Sequence, residues 1–262
     1  MTVKLMGVVN VTPDSFSDGG LYLDPEAAIR HGLELAAAGA EILDVGGEST
    51  RPGAEEVGVE EELRRVRPVI ERLAAGEAAI SVDTSKAAVA EVALEAGATI
   101  VNDVTALRGD PAMAAVCAER GATVVLMHMA GNPRTMQGNP AYDDVVAAVG
   151  AFLAERVEAA MAAGIAAERI WLDPGIGFGK TLQQNMELLR RLPELARLGR
   201  PLVVGTSRKS FIGKVDGSAP QERLGGTIAS SVLAAAEGAS VLRVHDVAEL
   251  RQAMAVTSAI LG

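Results

Sequence analysis

The chain is expected to fold as one α/β domain over residues 1–262, a single (β/α)8 barrel of the TIM type. Three observations lead there. Short apolar runs alternate along the whole chain with longer Ala-rich amphipathic segments, the pattern of βα units around a parallel sheet. Eight such units fit within 262 residues with no composition break or linker, which favours a closed barrel over an open doubly wound sheet. A short phrase also recurs where helix gives way to strand: Ala38-Gly39-Ala40, Ala96-Gly97-Ala98, Arg120-Gly121-Ala122 and Glu237-Gly238-Ala239. Each puts Gly just past a helix, where a left-handed cap is needed, and then enters an apolar run.

The strands are expected to begin near Lys4, Glu41, Ala79, Thr99, Thr123, Ile170, Leu202 and Ser240. In such a barrel the functional face lies at the strands' C-terminal ends, so what each strand delivers there matters most. The first ends at Asn10. The second ends at Asp44 and opens a Gly-rich loop carrying Thr50, Arg51 and Pro52. The third gives Asp83, the fourth Asn102 and Asp103, the fifth Met127 and His128, and the sixth Asp173. The seventh runs into Gly205-Thr206-Ser207-Arg208-Lys209-Ser210 and the eighth into Arg243-Val244-His245-Asp246. Singly, each has an ordinary explanation: Asp83 and Asp173 as helix N-caps, Met127 as core. A polar or charged group at nearly every strand end, all on one rim, is too regular for turn chemistry alone.

The sharpest local signal is Ile170-Trp171-Leu172-Asp173-Pro174-Gly175-Ile176-Gly177-Phe178-Gly179-Lys180, an apolar run that ends on a carboxylate and breaks into Pro and Gly. Glycines at 175, 177 and 179 allow tight bends and close approach of the backbone. Two phosphate motifs fail here. A P-loop needs Gly where Pro174 stands, and the spacing G-x-G-x-G is not the dinucleotide fingerprint, so Gly179-Lys180-Thr181 does not argue for a nucleotide.

Composition narrows the partners. A net charge of −10 argues against a nucleic-acid binder and makes any local cluster of Arg and Lys informative. Cys117 is the single cysteine, on an expected helix, so neither a disulfide framework nor a thiolate metal cluster is expected. Leu5 to Val11 is too short an apolar run to span a membrane, and the N-terminus lacks a signal-peptide pattern. A cytoplasmic protein is expected. His31 is read as a helix-surface or packing residue, and His128 as a buttress of the rim.

The rim chemistry has two halves. Asp83, Asn102, Asp173 and Lys209 form acceptors and donors suited to the polar edges of a flat heterocycle, with Met127 offering a polarisable face. Arg243 and His245, two apart on a strand, should point the same way and with Asn10 collect phosphate oxygens or a metal held by them. A heterocycle bearing a phosphate leaving group fits both halves.

Taken in order, the stretches Gly7 to Gly19, Asp44 to Gly53, Ser81 to Thr84, Ile100 to Val104, Asp173 to Lys180, Ser207 to Ser210 and Arg243 to Asp246 resemble the dihydropteroate synthase family over essentially the whole chain. The resemblance implies a barrel, usually a homodimer, that joins 4-aminobenzoate to 7,8-dihydropterin-6-ylmethyl diphosphate, releases diphosphate and is assisted by Mg2+. It implies a pterin pocket of Asp83, Asn102, Met127, Asp173, Lys209 and Arg243. Thr50, Arg51, Pro52, Phe178, Ser207 and Lys209 would surround the aminobenzoate. Asn10 would bind Mg2+ and, with Arg243 and His245, the diphosphate; Asp83, Lys209, Arg243 and His245 would carry catalysis. Three rivals stand beside it. A corrinoid-linked methyltetrahydrofolate methyltransferase has no use for a diphosphate grip, and a Schiff-base aldolase built on Lys209 leaves the rim carboxylates unexplained. A non-catalytic pterin carrier is separated only by a turnover assay.

Overall fold

The structure is a computed structural model and describes residues 3–12, 25–49, 56–131 and 142–262. Eight parallel strands form one sheet: β1 (Lys4–Asn10), β2 (Ile42–Gly46), β3 (Ala79–Asp83), β4 (Ile100–Asp103), β5 (Thr123–Met127), β6 (Ile170–Asp173), β7 (Val203–Val204) and β8 (Val241–Val244). Their order is β6-β5-β4-β3-β2-β1-β8-β7. The remaining seam, between β6 and β7, is closed by a parallel bridge from Leu172 to Leu202, with the Leu172 amide donating to the Pro201 carbonyl at 2.9 Å. The sheet thus becomes a barrel.

Around it run α1 (Pro25–Ala38), α2 (Val59–Leu73), α3 (Ala87–Glu95), α4 (Met113–Glu119), α5 (Val145–Ala162), α6 (Leu182–Arg190), α7 (Leu192–Ala196), α8 (Ser210–Asp216), α9 (Leu224–Ala236) and α10 (Val247–Leu261). The recurring αβ joint behaves as its composition requires. Gly39, Gly97, Gly121 and Gly238 all have positive φ, from 61° to 113°. At each, the next residue's amide reaches back five positions to a helix carbonyl (Ala40 to Leu35, Ala98 to Ala93, Ala122 to Cys117, Ala239 to Ala234), the Schellman geometry that satisfies a helix end while turning the chain into a strand.

The two faces of each strand have separate cores. Leu43, Val45, Val82, Val101, Leu172 and Leu242 point outward and pack with helix residues such as Val66, Ile70, Val89 and Leu250. Met6, Ile42, Ile100, Val125, Val203 and Val241, with Ala79 and Trp171, form a second apolar cluster made of strand residues alone. That cluster is the plug of the barrel. Because side chains alternate with a period of two, the next inward positions are two residues further along each strand. These are Asp44 after Ile42, Ser81 after Ala79, Asn102 after Ile100, Met127 after Val125, Asp173 after Trp171, Gly205 after Val203 and Arg243 after Val241, and then Asp83 after Ser81. The polar layer sits on the plug by register alone.

Two expectations are corrected. Asp83 and Asp173 are not helix N-caps, since α3 begins after Lys86 and α6 after Thr181, leaving both carboxylates free to serve the barrel mouth. The second strand does not end at Asp44 but runs on to Gly46, which places Asp44 fully inside the barrel.

Candidate active site

Within the polar layer, Arg243 is the hub. Its Nε donates to Asp44 Oδ2 at 2.6 Å and its Nη2 to Asp83 Oδ2 at 2.9 Å. Asp44 Oδ2 accepts a second bond, from Asn102 Nδ2, at 3.1 Å. Burial alone would lower Arg243, yet the flanking Asp44 and Asp83 carboxylates hold it above its usual range, so it stays charged. Asp83 is pushed up to about 7, first by burial and then by the neighbouring Asp44 charge, against the pull of Arg243. Its Oδ1 is buried and lacks a hydrogen-bond partner, as do Asp44 Oδ1 and Ser81 Oγ. Unpaired buried acceptors are costly, so this layer is suited to a donor-bearing ligand.

Across the mouth, Asp173 Oδ1 accepts the Gly175 amide at 2.6 Å. Burial pushes this carboxyl up while the charge of Lys209 pulls it down. Lys209 is lowered to about 8, mainly by burial and also by Arg243, with Asp173 opposing. Its ammonium donates to the Ile176 carbonyl and lies 4.8 Å from the centre of the Phe178 ring. Phe178 completes an apolar wall with Val104, Met127 and Met129. A flat ligand therefore meets a thioether and aromatic wall beside a row of acceptors and two cations.

The turn after β6 is built for this. Gly175 has φ +67°, and a Cβ there would lie 2.0 Å from the His128 carbonyl oxygen, so no other residue fits. Lys180, almost fully buried, binds the turn from within: its Nζ donates to the carbonyls of Gly175 and Phe178, each at 2.9 Å, and lies 3.0 Å from His128 Nδ1. Burial lowers Lys180 to about 7. The same cause, with Lys180 beside it, holds the His128 imidazole down at about 3, so it is neutral and accepts. Its ring packs edge-on against Phe152 at 5.0 Å.

The turn after β7 works differently. Arg208 adopts φ +55°, a strained conformation for a side-chain-bearing residue. It is held by an ion pair to Asp246, by its amide donating to Thr227 Oγ1 at 3.0 Å, and by Arg223 donating to its carbonyl at 3.0 Å. Ser207 and Lys209 on either side are thereby presented to the mouth. Ser207 Oγ lies 2.9 Å from His245 Nδ1 and accepts the His245 amide at 3.2 Å, so Ser207 and His245 form a pair just beyond the end of β8. Arg243 turns into the barrel, where it meets Asp44 and Asp83. Asn10, half-buried at the end of β1, lies near Asp83 across Gly46: a Cβ on that glycine would be 3.9 Å from Asn10 Oδ1 and 3.5 Å from Asp83 Cβ. Thr50, Arg51 and Pro52 fall outside the described residues.

The match to known proteins covers this same frame. The model of the family described as pterin binding enzyme matches residues 6–245. The chain belongs to the dihydropteroate synthase family of pterin binding enzymes. The dihydropteroate synthase of Escherichia coli K12 is 52% identical over 259 residues, 98% of this chain and 92% of that one. A Xanthomonas albilineans dihydropteroate synthase solved with 4-aminobenzoic acid superposes with a TM-score of 0.93 at 52% identity, covering 100% of this chain and 94% of that one. That of Yersinia pestis, in a sulfonamide drug complex, gives 0.96 at 46% identity, covering 99% and 94%. As a dihydropteroate synthase the chain is a transferase of folate biosynthesis.

Sequence alone does not single out several participants: Asp44 reads only as a strand terminus, and Lys180 only as a failed P-loop lysine. Glu62 lies in an acidic helix start yet is fully buried, with Lys86 donating to it at 2.5 Å and also to Glu48. Only the barrel register and that facing lysine identify such carboxylates as interior.

Proposed function

We propose that the chain joins 7,8-dihydropterin-6-ylmethyl diphosphate to 4-aminobenzoate at this mouth, giving 7,8-dihydropteroate and diphosphate. The observation that carries the residue assignment is the convergence of Asp83, Asn102, Asp173, Lys209 and Arg243 from five strand ends, with buried acceptor atoms left unpaired. Asp83, Asn102 and Asp173 accept from the pterin's N–H groups, Lys209 donates to its carbonyl, and Met127 and Arg243 flank the ring. Phe178, Ser207 and Lys209, with Thr50, Arg51 and Pro52, take the aminobenzoate. Asn10, Arg243 and His245 hold the diphosphate.

The reaction is a substitution at a methylene carbon. The pterin delocalises positive charge from that carbon, so C–O cleavage runs ahead of C–N formation, and both ends of the breaking bond need stabilisation. Asp83, near the ring, supports the cation when ionised, and Arg243 supports the departing diphosphate, as charges fixed in place before the reaction. The neutral aromatic amine needs no strong base, and no covalent bond to Lys209 is required.

Mg2+ fits the donor set only as an ion brought with the substrate. Among the described residues no group of three His, Cys, Asp or Glu side chains is placed to hold a metal, and Asn10 offers a single neutral amide oxygen. That suits a cation which keeps most of its water and phosphate ligands. When bound, it would neutralise charge on the leaving diphosphate.

The chain acts as one domain, 1–262, and pairs as a homodimer. Leu233 on α9 with Val256, Ile260 and Leu261 on α10 supports that pairing, since these exposed apolar residues lie on two helices that pack together. No helix among the described residues is long and apolar enough to cross a membrane. A cytoplasmic place without a nucleic-acid partner is part of the proposal, the latter from the net charge of −10. The test is mass-spectrometric detection of dihydropteroate from the two substrates with magnesium. Tight pterin binding without product would favour a pterin carrier instead.

A further inference from the structure

Asp44 is not among the residues assigned to the substrates, yet two residues of the pterin pocket are bonded to it. It is fully buried on β2, one inward step below the rim, paired in register with Val8 on one side and Ser81 on the other. One oxygen, Oδ2, takes both Arg243 Nε at 2.6 Å and Asn102 Nδ2 at 3.1 Å. A carboxylate only accepts, so of the two ends of the Asn102 amide only the N–H end can face it. The carbonyl oxygen is then turned away from Asp44 as the acceptor Asn102 can offer a ligand, beside its second N–H. The same logic governs Arg243. Its Nε and one proton of Nη2 are taken by Asp44 and Asp83, which leaves the Nη1 edge and the second Nη2 proton for a ligand. Without Asp44, Asn102 would be free to rotate its amide, and Arg243 would keep only the Asp83 bond.

We propose that Asp44 is a positioning residue that sets the polarity of the pterin pocket, forcing Asn102 to present an acceptor and Arg243 to present one chosen edge. The inference rests on the reading of Asn102 and Arg243 as pterin-binding residues. It makes the pocket selective for heterocycles that direct donors at Asn102, through a side chain that acts by its bonds to Asn102 and Arg243.

A double-variant cycle on the full chain tests it, with calorimetric affinity for a 7,8-dihydropterin lacking the diphosphate as the readout. In the parent chain, Asp44→Asn weakens binding by about tenfold, since an amide no longer dictates which end of Asn102 faces it. Asn102→Asp alone also weakens binding, because two carboxylates then oppose each other. In the Asn102→Asp background, however, Asp44→Asn should improve binding: the new amide on β2 can donate to the new carboxylate on β4, whose other oxygen still shows the ligand an acceptor. A buried residue with only a structural role would weaken binding in both backgrounds, so reversal of sign supports the proposal and its absence overturns it. Steady-state kinetics give a second reading. Asp44→Asn should raise KM for the pterin diphosphate while leaving KM for 4-aminobenzoate within about twofold, the margin of a change that misses that subsite; equal changes in both overturn the proposal. If Asn102→Ala leaves pterin affinity unchanged, the underlying pocket assignment fails instead. Should Asn102→Ala weaken binding while Asp44→Asn does nothing, that assignment stands and the role of Asp44 is lost.

Discussion

The turns after β6 and β7 each carry a lysine, Lys180 buried and Lys209 half-buried, and the two amino groups have opposite fates. Lys180 is surrounded by acceptors of its own neighbourhood: the carbonyls of Gly175 and Phe178, and His128 Nδ1. Lys209 has one such partner, the Ile176 carbonyl, and otherwise faces Asp173, Arg243 and the Phe178 ring. Burial depresses both, to about 7 and about 8. A shifted pKa therefore does not distinguish them; the acceptors do. A lysine saturated by its own backbone holds a loop, whereas one with N–H groups left over can meet a ligand.

If that distinction is right, the largest effect belongs to Lys209. Lys209→Met should lower kcat/KM on the order of 10³-fold, the scale for losing a fixed charge at a reacting centre. Its melting temperature should stay near that of the parent chain. A variant retaining a tenth of the activity would remove Lys209 from the site.

Lys180→Met should show the inverse profile. It removes the buried donor of the Phe178 carbonyl and leaves the Gly175 carbonyl only the Phe178 amide at 3.0 Å, costing about 3 kcal/mol in total. For a chain of this length that lowers the melting temperature by roughly 6 to 12 °C. Dihydropterin affinity below the transition should remain within a few-fold. An unchanged melting temperature with lost pterin binding would invert the comparison.

These two residues also show what was legible in advance. The barrel could be read because its signals are local: period-two and helical runs, and a glycine in the same place at four joints. The rim residues could be read because each closes an apolar run. Lys180 could be shown only not to be a P-loop lysine, since its partners lie 52 residues back at His128 as well as nearby. Asp44 stayed without a role because its partners, Asn102 and Arg243, are 58 and 199 positions away. Glu62 hides in an acidic helix start whose other members are exposed or half-buried. In each case the deciding fact includes a contact between residues well separated in sequence that no local pattern encodes.

The pH dependence separates the lysines more finely. Lys209 is charged below about 8, so affinity for the aminobenzoate carboxylate should fall as pH rises through that value, approaching tenfold per unit if that charge dominates binding. This limb should vanish in Lys209→Met and persist in Lys180→Met. Lys180 registers in stability instead. Its folded value of about 7 lies below the ordinary 10.5, so between those values the unfolded chain binds more protons and stability rises with pH. Lys209 adds to the same slope above about 8. Lys180→Met should flatten the rise, most clearly between about pH 7 and 8, where of the two lysines only Lys180 has begun to titrate; denaturant titrations across the interval would show whether it does.

The smallest effect concerns the residue after each lysine's turn. Thr181 caps α6 with a complete capping box: its Oγ1 accepts the Gln184 amide at 3.2 Å, and Gln184 Oε1 accepts the Thr181 amide at 2.7 Å. The corresponding position before α8 is Lys209 itself, whose side chain makes no capping bond. One helix start is thus closed by its own sequence, and the other gives up its cap position to the mouth of the barrel. Thr181→Ala should cost about 1 kcal/mol, the usual loss for such a cap. It should leave kcat and both KM values unchanged, because Lys180 still grips the turn from inside and Asn185 still accepts the Gly177 amide at 2.6 Å. If Thr181→Ala instead raised KM for 4-aminobenzoate at unaltered stability, the cap would be setting the position of Phe178. The turn after β6 would then owe its shape to the helix rather than to its buried lysine.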